Sequence, residues 1–183
     1  IRGGKKLADY QILAFPGGFS YGDDVASGKV LAVKSKINLG DQIVRFIEDG
    51  KLIIGICNGF QVMAKFGLLA DPGGDYRTQR FTVTFNDSGR FEDRWIHLVS
   101  SSDKCAWTGG VERISLPVAH GEGKFFVDPE GLDALEKSGQ VVFRYAGPDN
   151  GPAKGKYPWN PNGSLNDVAG GCDPTGRVFG MMP

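Results

Sequence analysis

One five-residue stretch constrains this chain more than any other: Gly55-Ile56-Cys57-Asn58-Gly59. It lies between the apolar run 51–56 (KLIIGI) and residues 58–66, where Phe60, Met63 and Ala64 recur at helical spacing before Gly67. A glycine–x–nucleophile–x–glycine stretch between a buried strand and a helix has the shape of a nucleophile elbow, whose small residues let the backbone turn abruptly. The elbow implies an α/β sheet and sets the nucleophile at the C-terminal edge of the strands, where open sheets place their ligands. A free thiol, with a pKa of about 8.5, is only a few per cent thiolate at neutral pH. The N-terminus of the following helix is expected to favour the anion. The N–H of Asn58 would then face a developing oxyanion. A second donor should come from a glycine loop after a neighbouring strand, and Pro16-Gly17-Gly18, after residues 10–15 (YQILAF), is such a loop. Most unpaired cysteines are buried and inert. The elbow reverses that reading for Cys57, whereas Cys105 and Cys172 lack any such context.

The rest of the pattern agrees with an α/β chain. Residues 10–15 read as a buried strand, and Leu39, Ile43, Phe46 and Ile47 mark a helix from Asn38 to a stop at Gly50. Alternation at 80–85, 94–99 and 111–118 predicts strands, 131–137 a short helix and 140–145 another strand. Residues 148–166, with Pro152, Pro158 and Pro161, predict a long ordered or ligand-binding loop. Two short strands should flank the turn Asp173-Pro174-Thr175-Gly176. Glycine is about twice its average frequency, at 28 of 183 residues, and without a period it signals tight turns around a sheet. The length suits one domain, and no repeat or boundary interrupts it. Trp95, Trp107 and Trp159 are expected to be core or loop anchors.

Charge and cysteine usage exclude several classes. Twenty-one basic and 21 acidic residues cancel, so nucleic acid is not an expected partner. Three cysteines without a C-x-x-C pair make neither a disulfide framework nor a zinc signature, and favour a cytoplasmic setting. No apolar run approaches the roughly 18 residues of a membrane span. The triplets at Asn86 and Asn162 that fit a glycosylation site carry no meaning in that compartment.

Two segments, Phe15-Pro-Gly-Gly-Phe-Ser-Tyr-Gly-Asp-Asp24 and Gly55-Ile-Cys-Asn-Gly-Phe-Gln61, resemble the class I glutamine amidotransferases. Asn86-Asp-Ser-Gly-Arg-Phe91, Ala119-His-Gly-Glu-Gly-Lys-Phe125, Asn160-Pro-Asn-Gly-Ser164 and Val168-Ala-Gly170 narrow the resemblance to the glutaminase part of the phosphoribosylformylglycinamidine synthases. It covers nearly the whole chain. The resemblance implies a flavodoxin-like fold: a mostly parallel central sheet with helices on both faces and a small antiparallel section. It implies that Cys57 attacks the side-chain amide of glutamine, releasing ammonia and leaving a γ-glutamyl thioester for hydrolysis. Gly17, Gly18 and Asn58 match the oxyanion hole, and Gln61 the contact with substrate glutamine. No cofactor or metal is implied for this domain. ATP and Mg2+ belong to a synthetase subunit or domain, with a small accessory subunit as a further possible partner.

In that family a histidine and a glutamate follow Met-Met-Pro directly, and a first strand and helix precede the region matched here. The chain is therefore expected to be a fragment short at both ends, inactive alone without its base. His120, beside Glu122, is expected to serve in loop hydrogen bonding or partner contact rather than as that base, and His97 as a strand residue. Asp23 and Asp24 are either helix caps or interface or substrate contacts. Asn160, Asn162 and Ser164 are candidates for the same contacts. The competing readings are a cysteine hydrolase or protein-repair enzyme of the same fold, and a non-catalytic fragment that docks on a synthetase.

Overall fold

The computed structural model describes residues 6–69 and 73–183. Nine strands alternate with three α-helices: β1 (Ile12–Phe15), α1 (Lys29–Glu48), β2 (Leu52–Ile56), α2 (Asn58–Phe66), β3 (Thr82–Thr84), β4 (Glu92–Ser100), β5 (Arg113–His120), β6 (Lys124–Phe126), α3 (Pro129–Lys137), β7 (Val141–Ala146), β8 (Val168–Cys172) and β9 (Val178–Met181). Seven strands form one sheet in the order β1-β2-β9-β8-β7-β4-β5, and β3 pairs with β6 in a small antiparallel sheet. The fold is α/β. Its parallel pairings, β1 with β2 and β2 with β9, set Phe15 beside Gly55 and Ile56 beside Met181. Beyond β9 the main sheet continues antiparallel through β8, β7, β4 and β5.

Two apolar clusters lie on opposite faces of this sheet. On one, Ile53, Val141 and Val178 meet Phe46 of α1, Phe60 and Met63 of α2, and Leu135 of α3. The other holds Phe143, Phe179 and Met181, and among the described residues loop side chains such as Cys105, Trp107 and Ala153 cover it, in place of the helix expected there. The β3–β6 pair is fastened over α2 by aromatic contacts, Phe60 to Phe81 at 5.9 Å and Phe81 to Phe125 at 4.8 Å. Each ring so buried contributes roughly 1.5–3 kcal/mol.

Helix α2 spans the predicted residues and ends at Gly67 in the left-handed region (φ 100°). Helix α1 starts nine residues before the predicted Asn38. Its opening turns bury Ala32 and Ser35 while Val33 and Ile37 face solvent, so the apolar stripe is inverted there. Strand β1 is not buried as expected: it pairs only with β2 among the described residues, and Ile12 is 54 % exposed. Trp95 is not an anchor but stands 72 % exposed on β4, whereas Trp107 donates its Nε1–H to the carbonyl of Arg177 at 2.8 Å. His97 is a strand residue as expected, its Nδ1 2.8 Å from the hydroxyl of Ser115. Among the described residues no helix is long and apolar enough to cross a membrane.

Candidate active site

Cys57 sits between β2 and α2 with φ 53° and ψ −111°, a conformation that costs a non-glycine residue about 1–3 kcal/mol. Its backbone is held on both sides. The N–H donates to the carbonyl of Met181 at 2.9 Å, and the carbonyl accepts the N–H of Gln61 at 3.1 Å. The two flanking glycines are required by close packing. A Cβ on Gly59 would stand 1.8 Å from the carbonyl oxygen of Phe15, and one on Gly55 would stand 2.2 Å from the sulfur of Met63. The turn of the elbow thus brings the first turn of α2 directly against β1 and β2.

Burial pushes the Cys57 thiol above its ordinary pKa. The Asn58 N–H bonded to the sulfur pulls the other way, and the Asp23 carboxylate adds to the rise. The thiolate expected from the helix terminus alone is therefore not the resting form: desolvation outweighs the helix N–H groups. Attack by this thiol would need a base to remove its proton. Among the described residues neither histidine bonds it, since His97 is engaged with Ser115 and His120 with Asn86.

The loop after β1 closes over the elbow. Gly17 abuts the nucleophile, for its missing Cβ would lie 3.5 Å from the Cβ of Cys57, and Gly18 has φ 142°, a glycine conformation. Ser20 donates its N–H to Oδ1 of Asn58 at 3.2 Å. Nδ2 of Asn58 reaches Oδ1 of Asp23 at 3.3 Å and Oε1 of Gln61 at 3.0 Å. Asp23 is thereby placed at the site. Helix α1 begins at Gly28 without a side-chain cap, so neither Asp23 nor Asp24 is its cap, and Asp24 lies exposed at the end of the 3-10 turn Ser20–Asp23.

Gln61 is 3 % exposed, and its amide is engaged within the protein. It accepts from Asn58 through Oε1 and donates through Nε2 to the backbone carbonyl of Glu122. The Glu122 carboxylate accepts the N–H of Ser27 at 3.1 and 3.2 Å and lies 3.9 Å from the Lys65 ammonium. Burial lowers the pKa of Lys65, and Glu122 opposes that fall.

A second tier of amides underlies these groups. Asn162, fully buried, donates from Nδ2 to the carbonyl of Gly123 at 2.8 Å and to the Tyr145 hydroxyl at 2.9 Å. Ser164 binds Oδ1 of Asn162 through its hydroxyl at 2.8 Å, and accepts from the N–H of Phe125 at 2.9 Å. Asn160 ties the carbonyl of Ser164 to Asp167. These three residues brace the long loop 148–166 against the segment 120–125, and their hydrogen bonds go to residues other than Cys57. His120 is 2 % exposed, with Nδ1 3.1 Å from Oδ1 of Asn86. Burial pushes its pKa down to about 4, so it is neutral near pH 7, in keeping with loop hydrogen bonding. No cluster of three or more potential metal ligands occurs among the described residues.

Sequence reasoning missed Ser20, Ser27, Lys65 and Tyr145. Only Lys65 offered a clue, as the one charged residue of α2; the others act through tertiary contacts that spacing does not encode.

A cysteine on a strained elbow, with one backbone N–H on its sulfur and a glycine loop beside it, is the kind of arrangement that thiol-dependent acyl transfer requires. The chain belongs to the CobB/CobQ-like glutamine amidotransferase domain family, whose model matches residues 1–183. Among curated proteins it is similar to the phosphoribosylformylglycinamidine synthase subunit PurQ of Methanococcus maripaludis (strain S2), 49 % identical over 183 residues, covering all of this chain and 67 % of that one. The subunit of the same name from Dehalococcoides mccartyi is 50 % identical over 179 residues, covering 97 % of this chain and 68 % of its own. Among solved structures, PurLQS from Thermotoga maritima matches with a TM-score of 0.70 at 32 % identity, over 98 % of this chain and 71 % of that one. A second glutamine amidotransferase of that organism, 16 % identical with a TM-score of 0.56 over 98 % of this chain and 57 % of its own, shares the fold.

Proposed function

We infer that this chain is the glutaminase component of a phosphoribosylformylglycinamidine synthase, releasing ammonia for the ATP-dependent conversion of formylglycinamide ribonucleotide to formylglycinamidine ribonucleotide in purine biosynthesis. The observation that carries the reading is Cys57 on its strained elbow with the Asn58 N–H directed at the sulfur. The thiolate of Cys57 attacks the side-chain carbonyl carbon of glutamine, and the oxygen takes the negative charge. The N–H groups of Asn58 and Gly18 receive that oxyanion, each donor of this kind contributing about 3–4 kcal/mol to the transition state. The carbon–nitrogen bond then breaks, the nitrogen leaves as ammonia with a proton from the base, and water cleaves the γ-glutamyl thioester to glutamate. Asp23 and Gln61, each bonded to Asn58 beside Cys57, are the residues this reading assigns to holding glutamine. The relatives' subunit names favour a synthetase subunit as partner; on this reading that subunit binds the ATP and Mg2+, a small third subunit completes the assembly, and the setting is the cytoplasm.

The test is alkylation of Cys57 by a chloroketone analogue of glutamine in the full-length protein assembled with its synthetase. Glutamine is expected to protect Cys57, and Cys57→Ala to abolish glutamine hydrolysis while sparing synthesis from free ammonia. Labelling unaffected by glutamine would overturn the reading.

A further inference from the structure

Glu122 lies in the connection from β5 to β6, 65 residues along the chain from the nucleophile, yet it touches three parts of the site. Its carboxylate receives the Ser27 N–H on both oxygens, at 3.1 and 3.2 Å. That fixes the segment running from Asp23 to the start of α1 at Lys29. The same carboxylate faces the ammonium of Lys65 in the last turn of α2, at 3.9 Å, with both side chains no more than 10 % exposed. Its backbone carbonyl accepts Nε2 of Gln61, whose Oε1 takes Nδ2 of Asn58, whose Oδ1 takes the N–H of Ser20. Loop, elbow helix and β5–β6 connection therefore converge on one residue.

We propose that Glu122 is a positioning residue for the glutaminase reaction: it fixes the separation between the Gly17–Gly18 loop and the elbow, and so the alignment of the two oxyanion donors. Residues 16–28 run from the end of β1 to the start of α1, and the hydrogen bonds among themselves do not reach the elbow. The short turns within them, Gly22 N to Phe19 O and Asp24 N to Tyr21 O, are local. At the near end the segment is held by β1 and by Asn58, through Ser20 and Asp23; at the far end it is held by the close approach of Gly28 to Gln61 and Val62 and by Glu122, through Ser27. A buried carboxylate that shares one N–H between both its oxygens ties this segment to the β5–β6 connection, and the Lys65 ammonium, 3.9 Å away, offsets part of its desolvation. Donor alignment matters in the transition state and little in the ground state, so loosening this anchor acts on kcat and not on KM.

The inference rests on the glutaminase reading, and the test separates the two. In the full-length protein within its synthase complex, wild type must first hydrolyse glutamine; if it does not, the functional reading fails before Glu122 is examined. Given an active wild type, Glu122→Gln is expected to lower kcat for glutamine hydrolysis at least tenfold, with KM for glutamine within twofold and ammonia-dependent synthesis unchanged. The variant also leaves the buried Lys65 ammonium with the Val83 carbonyl but no facing carboxylate, so Glu122→Gln is combined with Lys65→Met. In the double variant the melting temperature should recover in part, the Val83 carbonyl having lost its ammonium donor, while kcat stays low because Ser27 has not regained its carboxylate. Recovery of kcat together with the melting temperature would reduce Glu122 to a structural partner of Lys65 and overturn the proposal, as would wild-type kcat in Glu122→Gln. If Glu122→Gln does not fold, Glu122→Asp, which keeps the charge but draws it back by one methylene, is expected to show the same selective loss of kcat; wild-type kcat there overturns the proposal.

Discussion

The tightest constraint in the molecule is the approach of α2 to β1, and Gly59→Ala tests it. A methyl group on Gly59 would meet the Phe15 carbonyl oxygen at 1.8 Å, its carbonyl carbon at 2.5 Å and its Cβ at 2.9 Å, against 3.4 Å for ordinary contact. Two of these three atoms are main chain, so no side-chain rotation relieves the clash. The first turn of α2 and the end of β1 must separate by about 1.6 Å, and overpacking of this kind costs typically 1–3 kcal/mol and more when backbone is displaced. At about 3 kcal/mol, a chain of this size loses about 6–12 °C in melting temperature. Moving β1 also carries Gly17 and Gly18 away from Cys57, so glutamine-protected alkylation should be lost even well below the melting point. Gly40→Ala is the internal control: it lies within α1 with open space around its missing Cβ, and should raise stability by about 1 kcal/mol through helix propensity. Both substitutions are measured by thermal and urea unfolding of the full-length protein. A melting temperature for Gly59→Ala within about 2 °C of wild type, with protection intact, would refute the reasoning about the elbow.

Asp23→Asn retains an acceptor for Asn58 but removes the charge that helps hold the Cys57 thiol protonated, so alkylation by a neutral reagent at pH 7.5 should accelerate. The gain should stay below about tenfold because burial is the larger cause. His120 is held near pKa 4 in the folded chain against about 6.5 when unfolded. The unfolded chain therefore binds the extra proton first, and stability should be full above pH 6.5 and fall as the pH drops towards 4, by about 3 kcal/mol in urea titrations. His120→Gln should flatten that slope. Asn162→Ala leaves the Gly123 carbonyl and the Tyr145 hydroxyl buried without this donor, and should cost about 2–4 kcal/mol. Amide exchange should then show loop 148–166 opening before the sheet does.

The local part of the site was legible in the sequence. Gly55, Cys57 and Gly59 declared the elbow, and Phe60, Met63 and Gly67 bounded α2, because these features depend on neighbours a few residues away. The opening of α1 was obscured because exposed Val33 and Ile37 and buried Ser35 invert the hydrophobic pattern that marks a helix face. The state of the thiol was misjudged for a related reason. Helix-terminal N–H groups can be read from sequence order, but desolvation by the surrounding fold cannot. Glu122 and Lys65 are a further case, since 57 residues separate them and nothing in either neighbourhood announces the other.

The position of β9 bears on how the molecule comes into being. This strand, residues 178–181, is inserted between β2 and β8 near the middle of the sheet order, and its last carbonyl receives the N–H of Cys57. Synthesis proceeds from β1 and β2 to β9 with more than a hundred residues between, so the sheet's most non-local pairing completes its reactive corner. Until residue 181 has emerged from the ribosome, the N–H of Cys57 has no β9 carbonyl to meet and the strained turn lacks one of its two backbone restraints. The nascent chain therefore carries its cysteine as an ordinary thiol on a loose segment. The Cys57 N–H gains its β9 restraint only when that strand takes its place between β2 and β8.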